Sequence, residues 1–190
     1  MEILLIAVAV VAAVFYFLYV TLIKRRNTAR EALSSIDVQL RKRHDLVPNV
    51  VKLAQKFMTH ERELLEGITK ARNLAQAGYS PDDPDAVARH LGAEQQLQAG
   101  LMKFFAVAEA YPELRSAETI QNAQQTVNEV EGHIAAARRF YNSAVTDLNN
   151  AVEIWPSSMI AGMVGVKQMP FFEIEDEAAR APVDVTDYMN

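Results

Sequence analysis

Four charged residues lie on or beside apolar helical stripes, where ionised side chains are uncommon. Arg43 and Glu61 interrupt a stripe in the first half of the chain, and at 18 residues apart they cannot pair within one helix. Glu131 and Arg138 lie one heptad apart beside a second stripe and can reach them across a helix interface. Such groups form either a buried polar site or an inter-helix ion pair that fixes register. We favour the ion pair, which is the better attested use.

The four histidines do not predict a metal site. Helical di-iron proteins need two Glu-x-x-His motifs, and none of the histidines (His44, His60, His90 and His133) follows a glutamate by three positions. The pair His60-Glu61 does not begin a zinc-protease motif, because residue 64 is leucine. The sequence has no cysteine, no glycine-rich phosphate loop and no Gly-x-Ser-x-Gly motif. We therefore expect no catalytic residue, no cofactor and no metal ion, and hence no enzyme.

The N-terminal residues predict a single membrane span. Residues 3–23 carry no charge, and as a helix they would cover about 31 Å, close to the hydrocarbon thickness of a bilayer. A cleaved signal peptide would instead begin with positive charge and have a shorter apolar run. Here the basic residues follow the run: Lys24, Arg25, Arg26 and Arg30. The positive-inside rule then places the N-terminus outside and the body in the cytoplasm.

Two apolar repeats of 3.5 residues predict long helices with coiled-coil-like packing. Alternating steps of four and three through residues 29–75 meet apolar side chains everywhere except at Arg43 and Glu61. The same steps through residues 120–155 meet only apolar or aromatic side chains. The first repeat continues across Pro48, which favours a kinked helix there rather than a reversal.

The predicted fold is all-α, with an N-terminal transmembrane helix followed by an antiparallel bundle of long helices. We expect the bundle helices over about 27–77, 84–110 and 116–155. The chain then divides into an anchor with its basic flank (1–26), a helical bundle (27–156), and an apolar segment with an acidic tail (157–190). A first helix of about 75 Å would overhang a second of about 40 Å. Part of its apolar stripe would be uncovered, which favours a homo-oligomer.

Several motifs resemble those of the LemA family. The segment 35–51 looks like the family signature, and segments 109–114, 137–142 and 171–173 agree with it, although Trp155 stands where phenylalanine is expected. The family-motif positions include the four stripe charges together with Asp37, Gln39, Asp45, Pro48, Asn49, Glu109, Tyr111, Pro112, Tyr141, Asn142 and Asn149. The resemblance implies a bacterial membrane protein with an N-terminal anchor and an α-helical body. It brings no catalytic role.

These features predict a non-enzymatic scaffold or interaction protein, anchored by a single-pass helix in the bacterial inner membrane. Its expected partners are the lipid bilayer and further copies of itself, with a membrane protease or another membrane protein as candidates. We expect no nucleic-acid partner, because the net charge is −5 and the basic residues are interleaved with acidic ones. The alternative, which the family resemblance implies, is an adaptor or regulator of a membrane metalloprotease in envelope stress response.

Overall fold

The structure is a computed structural model that describes residues 1–173 of the chain. These residues form six α-helices and no strand. The helices are α1 (Glu2–Ala54), α2 (Arg62–Ala75), α3 (Pro84–Ala108), α4 (Pro112–Arg115), α5 (Glu118–Glu153) and α6 (Ser157–Val164). The all-α class with a long apolar N-terminal helix is confirmed for this part of the chain.

The two halves of α1 have different surroundings. Every side chain before residue 18 is exposed, with Ile3 at 85% and Phe17 at 75%. From Leu22 onward, one face of the helix is buried in the bundle. Within residues 1–173, α1 is the single helix long and apolar enough to cross a membrane, and its apolar window is wholly exposed.

Pro48 lies inside α1 and does not end it. Because proline has no backbone N–H, the carbonyl of His44 loses its usual helical partner. Arg72 of α2 supplies a replacement, since its Nε donates a hydrogen bond to that carbonyl at 2.8 Å. A neighbouring helix therefore satisfies the backbone group that the proline leaves open.

The chain reverses after α1, so the predicted single helix over 27–77 is wrong. α1 ends at Ala54, residues 55–61 form turns, and α2 returns antiparallel to α1. Contacts from successive residues step back along α1, from Arg72 with His44 to Tyr79 with Asp37 and Asp82 with Arg30. The apolar repeat continues across the turn because both helices bury their stripes in one bundle. The turn contains neither glycine nor proline, the strongest sequence markers of a reversal.

α5 packs antiparallel along α1. Arg25 donates to the carbonyl of Asp147 at 3.2 Å, and Arg43 donates to Glu131 at 2.7 Å. α2 packs mainly on α3. The bundle therefore consists of two antiparallel helix pairs, one formed by the long helices and one by the shorter ones.

The buried apolar residues form two clusters. The proximal core lies beside the exposed half of α1 and contains residues 22–40 of α1, α5 from Val130 to Ala151, the first turns of α3, and α6. The distal core contains residues 47–54 of α1, α2, the second half of α3 and the start of α5. Between them, α1 carries Arg43 and His44.

The chain turns again after α6. Gly165 has a φ of +70°, in the left-handed region that glycine tolerates. Residues 166–173, which we call the C-terminal segment, then run back along α5 without helical structure. Val166 and Phe172 of this segment are buried in the proximal core.

Candidate functional site

A charged layer separates the two cores and is the main polar feature of the described residues. It consists of Arg43 and His44 from α1, Glu94 from α3 and Glu131 from α5. Arg43 is 1% exposed and Glu94 is fully buried. Burial of charge is costly unless each group has close partners, so the arrangement of these partners determines what the layer can do.

Arg43 joins three helices through its guanidinium. Nη2 donates to Oε2 of Glu94 at 2.5 Å and to the backbone carbonyl of the same residue at 3.1 Å. Nη1 donates to Oε1 of Glu131 at 2.7 Å. One cation therefore holds α1 against both α3 and α5, and it does so at fixed positions along all three helices.

His44 contacts the other oxygen of the Glu94 carboxylate. Its Nε2 lies 2.7 Å from Oε1 of Glu94, although the two atoms are not aligned for a hydrogen bond. The Nε of Arg43 is buried without a partner. The Oε2 atom of Glu94 is hydrogen-bonded, whereas its Oε1 and the nearby Nε2 of His44 and Nε of Arg43 are not. Loss of Arg43 would therefore leave the Glu94 carboxylate buried without a hydrogen-bonded cation.

A cleft of about 510 Å³ opens beside the charged layer. Its lining includes His44, Glu94, Asp37, Tyr79 and His90. The hydroxyl of Tyr79 donates to Asp37 at 2.7 Å, and Nε2 of His90 lies 3.3 Å from the same carboxylate. The rings of Tyr79 and His90 stack with centroids 4.1 Å apart. Burial, and then the Asp37 carboxylate, raise the pKa of Tyr79, so this phenol remains a neutral donor.

The structure brings together two of the four predicted stripe charges. Glu61 lies just before α2 and accepts a hydrogen bond from the hydroxyl of Tyr111 at 3.4 Å. Arg138 lies over the ring of Phe172, with its guanidinium carbon 5.8 Å from the ring centroid. Burial and the adjacent Arg139 lower the pKa of Arg138, whereas Glu131 opposes this shift. Glu61 and Arg138 therefore have separate surroundings, outside the charged layer.

Sequence reasoning missed Glu94, although a signal for it was present. Glu94 lies three residues after Leu91 and three before Leu97. It is also one heptad from both Val87 and Leu101, so it occupies the apolar stripe of α3. A charged residue in such a position predicts a buried partner.

Two asparagine side chains of α5 hold the C-terminal segment through hydrogen bonds to its backbone. Asn149 accepts from the N–H of Met169 at 2.8 Å and donates to its carbonyl at 3.0 Å. Asn142 makes the same pair of bonds with Phe172, at 2.9 Å and 3.1 Å. Each side-chain amide therefore pairs with one residue's backbone as a neighbouring strand would.

The spacing of these two asparagines matches the spacing of their partners. They stand seven residues apart on α5, a rise of about 10.5 Å. Their partners are three residues apart, which in an extended chain is about 10 Å. Pro170 lies between these two partners, and its carbonyl accepts a hydrogen bond from the hydroxyl of Tyr141 at 2.8 Å. One face of α5 thus holds the segment at the backbone of Met169, Pro170 and Phe172.

The sequence profile of the LemA family matches residues 32–186. The chain belongs to the LemA family. It is 24% identical to the magnetosome protein MamQ of Magnetospirillum gryphiswaldense over 207 residues, which cover 95% of this chain and 75% of the relative. It is also 24% identical to MamQ 2 of Paramagnetospirillum magneticum over 185 residues, or 87% and 68% of the two chains. The resemblance seen in the sequence is confirmed.

The remaining LemA motif positions have varied surroundings. The side chains of Asp45, Pro48, Asn49, Glu109 and Pro112 are exposed, and Pro112 begins α4. Gln39 is partly buried, and its Oε1 is buried without a hydrogen-bond partner. Motif residues therefore occur both in the buried polar contacts of this LemA protein and on its outer surface.

The chemistry available to this arrangement is chiefly structural. Within residues 1–173, no three histidine or acidic side chains are placed to hold a metal ion together. The charged layer instead connects α1, α3 and α5 through groups that cannot separate without leaving a buried charge. Such layers fix helix register, which is their best-attested use.

Proposed function

We propose that this LemA protein is a membrane-anchored, non-enzymatic scaffold that self-associates and docks partner proteins at the bacterial inner membrane. Its membrane association follows from family membership and from the exposed apolar half of α1. The body is a bundle whose polar contacts fix helix positions. These features together are typical of a protein that holds others in place.

The observation that carries the proposal is the division of α1 into two halves. One continuous helix is fully exposed before residue 18 and buried on one face from Leu22 onward. A helix without a break between span and bundle transmits the position of the anchor rigidly to the body. A flexible linker would not.

We place the N-terminus outside and the body in the cytoplasm, on the basis of the cations that follow the span. Because the chain has no cysteine, single-cysteine variants report topology directly. A membrane-impermeant maleimide should label Glu2→Cys in sealed spheroplasts and Ser80→Cys only after permeabilisation. Ser80 is exposed in the loop between α2 and α3, so its labelling in sealed spheroplasts would reverse the orientation.

The proposed self-association needs a different surface from the one that the sequence suggested. The stripe of α1 is buried within a single chain through residue 54, because α5, α2 and α3 cover it. The expectation of an uncovered stripe in the bundle was therefore wrong. Apart from Val38, the large exposed apolar side chains of α1 lie within the span, where Ala9 and Ala13 are one turn apart and permit close approach of two helices.

Disulfide crosslinking in native membranes tests this proposal. Ala9→Cys and Ala13→Cys variants share one helix face and should form crosslinked dimers. Val11→Cys lies on the opposite face and serves as the matched control. An absence of dimers at every position from residue 3 to residue 17 would count against self-association through the span.

For partner docking, the body offers a groove of about 800 Å³ beside α3 and α5. Its lining includes Gln95, Met102, Arg138 and Phe172, and Met102 is 68% exposed. We expect Met102→Glu to reduce copurification of a partner from solubilised membranes, as measured by quantitative mass spectrometry. Recovery of a membrane protease would favour the adaptor role, and recovery of this chain alone would leave a homotypic scaffold.

A further inference from the structure

α6 and the turn before it have an apolar surface that the bundle does not cover. Ile160 and Ala161 face inward and are 4% and 1% exposed. On the outer side, Trp155 is 73% exposed, Met159 53% and Met163 78%. Large apolar side chains clustered in this way mark an interaction surface.

The depth of this surface follows from the antiparallel packing of α1 and α5. Arg25 contacts the backbone of Asp147, and six residues later α5 ends at Glu153. That distance is about 9 Å, which brings the end of α5 level with about Tyr19 of α1. Consistently, the core around Ile160 includes Leu18 of α1. α6 therefore lies beside the last turns of the uncharged run that ends at residue 23.

Basic residues next to α6 complement an anionic surface, although the Glu153 carboxylate, which accepts a hydrogen bond from Gln168, lies beside them. Lys24 and Arg25 follow the apolar run directly, and Lys167 follows α6 after a short turn. A cavity of about 210 Å³ is lined by Arg26, Arg30 and Lys167. The Nε of Arg26 is buried there without a partner, although Asp82 pairs with Arg30. Phosphate groups of lipid headgroups lie at this level of a membrane and carry the opposite charge.

We propose that α6, with the turn at Ile154 and Trp155, lies in the headgroup–acyl boundary of the membrane as a second contact beside the span. Tryptophan favours this boundary, and methionine adapts to irregular apolar surroundings. The contact rests on the proposed anchoring of α1. It limits the tilt of the bundle, because the body then touches the bilayer at two places.

The chain supplies its own probe, because Trp155 is the only tryptophan. The full-length protein is reconstituted in vesicles of phosphatidylcholine and phosphatidylglycerol, with bromine placed on the acyl chains. We expect Trp155 to fluoresce at short wavelength. Its fluorescence intensity should fall more with bromine near the glycerol than with bromine near the end of the acyl chain. Emission that is quenched by aqueous iodide and unaffected by either bromolipid would overturn the proposal.

A second copy of the chain is the competing occupant of this surface. Its protection of Trp155 would disappear as the protein is diluted into excess lipid, whereas bromolipid quenching is independent of protein density. Protection that decreases on dilution, without bromolipid quenching, would therefore replace the membrane by a homotypic contact. Sedimentation of the same vesicles reports on α1 separately, so failure of the anchor and failure of the α6 contact can be distinguished.

Substitutions on the outer face of α6 sharpen the test. Met163→Glu should reduce bromolipid quenching of Trp155, because a carboxylate at this depth is poorly solvated. Leu74→Glu is the control, since Leu74 is also an exposed apolar side chain but lies on α2. Both variants should keep the helical circular dichroism of the parent protein. Quenching that is unchanged in Met163→Glu would overturn the part of the proposal that places the outer face of α6 in the lipid.

Discussion

The proximal and distal cores are built from the same apolar residue types but are closed in different ways. The proximal core lies between the long paired helices α1 and α5, and it is completed by α6 and the C-terminal segment. The distal core is completed by the shorter helices α2 and α3. A non-helical segment forms part of the cover of the proximal core, whereas helices form most of the cover of the distal core, and each arrangement needs its own polar contacts.

This difference explains where the buried hydrogen bonds lie. A non-helical segment on a core must find partners for its backbone, and Asn142 and Asn149 supply them. A set of packed helices needs no such partners but can slide in register. The charged layer around Arg43 removes that freedom at the boundary of the two cores. Polar residues are thus located where the apolar packing alone leaves the geometry undetermined.

The largest expected effect comes from breaking the charged layer. Arg43→Ala leaves Glu94 buried without its cation, so we expect a loss of about 3–5 kcal/mol in the free energy of unfolding. The double replacement Arg43→Leu with Glu94→Leu should recover most of this loss. Denaturant unfolding of the full-length protein in detergent measures both.

The exposed ion pair of α2 provides the control for this prediction. Arg62 and Glu66 are 85% and 65% exposed, so Arg62→Ala should change the free energy of unfolding far less than Arg43→Ala does. Equal effects of Arg43→Ala and Arg62→Ala would mean that the layer is solvated.

The attachment of the C-terminal segment should give the next largest effect. Asn142→Ala leaves the N–H and carbonyl of Phe172 without partners, at a cost of about 1–3 kcal/mol. Asn142→Asp keeps an acceptor but loses the donor, so it should cost less. Limited proteolysis should detect release of the segment. Asn150→Ala, at an exposed neighbouring position, should leave proteolysis unchanged, and release in that variant would contradict the assignment.

A smaller coupling is expected between Pro48 and Arg72. Arg72→Ala leaves the His44 carbonyl unpaired, whereas Pro48→Ala supplies a helical N–H for it. The Arg72→Ala substitution should therefore cost less in the Pro48→Ala background, with a coupling energy on the order of 1 kcal/mol. A double-mutant cycle measures this. Strict additivity would show that the contact carries no energy, and Lys70→Ala on the same helix serves as the control.

The smallest effect concerns pH. The hydrogen bond from Arg30 lowers the pKa of Asp82 below its usual 3.8. A lowered pKa in the folded state stabilises the protein above that value, and the contribution is lost as the pH falls through the lowered pKa. Wild type should therefore melt slightly above Asp82→Asn at pH 7, and the two melting temperatures should converge as the pH falls below the lowered pKa. A constant difference across this range would exclude the ion pair as its cause.

The sequence predicts much of the fold but only part of the polar network. The span and the helix pairs follow from hydropathy and the 3.5-residue repeat. The reversal at residues 55–61 does not, because the repeat is compatible with either a continuous helix or a hairpin. Arg43 and Glu131 are recognisable as stripe charges, whereas the attachment of residues 166–173 depends on a match between helix rise and chain extension. Such a match involves two distant segments and has no local signature.

Native mass spectrometry tests most directly the proposed association of copies of this LemA protein in the membrane. The full-length protein, extracted in nanodiscs without detergent, should give a mass that is a whole-number multiple of its 21.2 kDa chain. The multiple should be greater than one and stable on dilution. A particle of 21.2 kDa at every concentration would contradict the scaffold proposal.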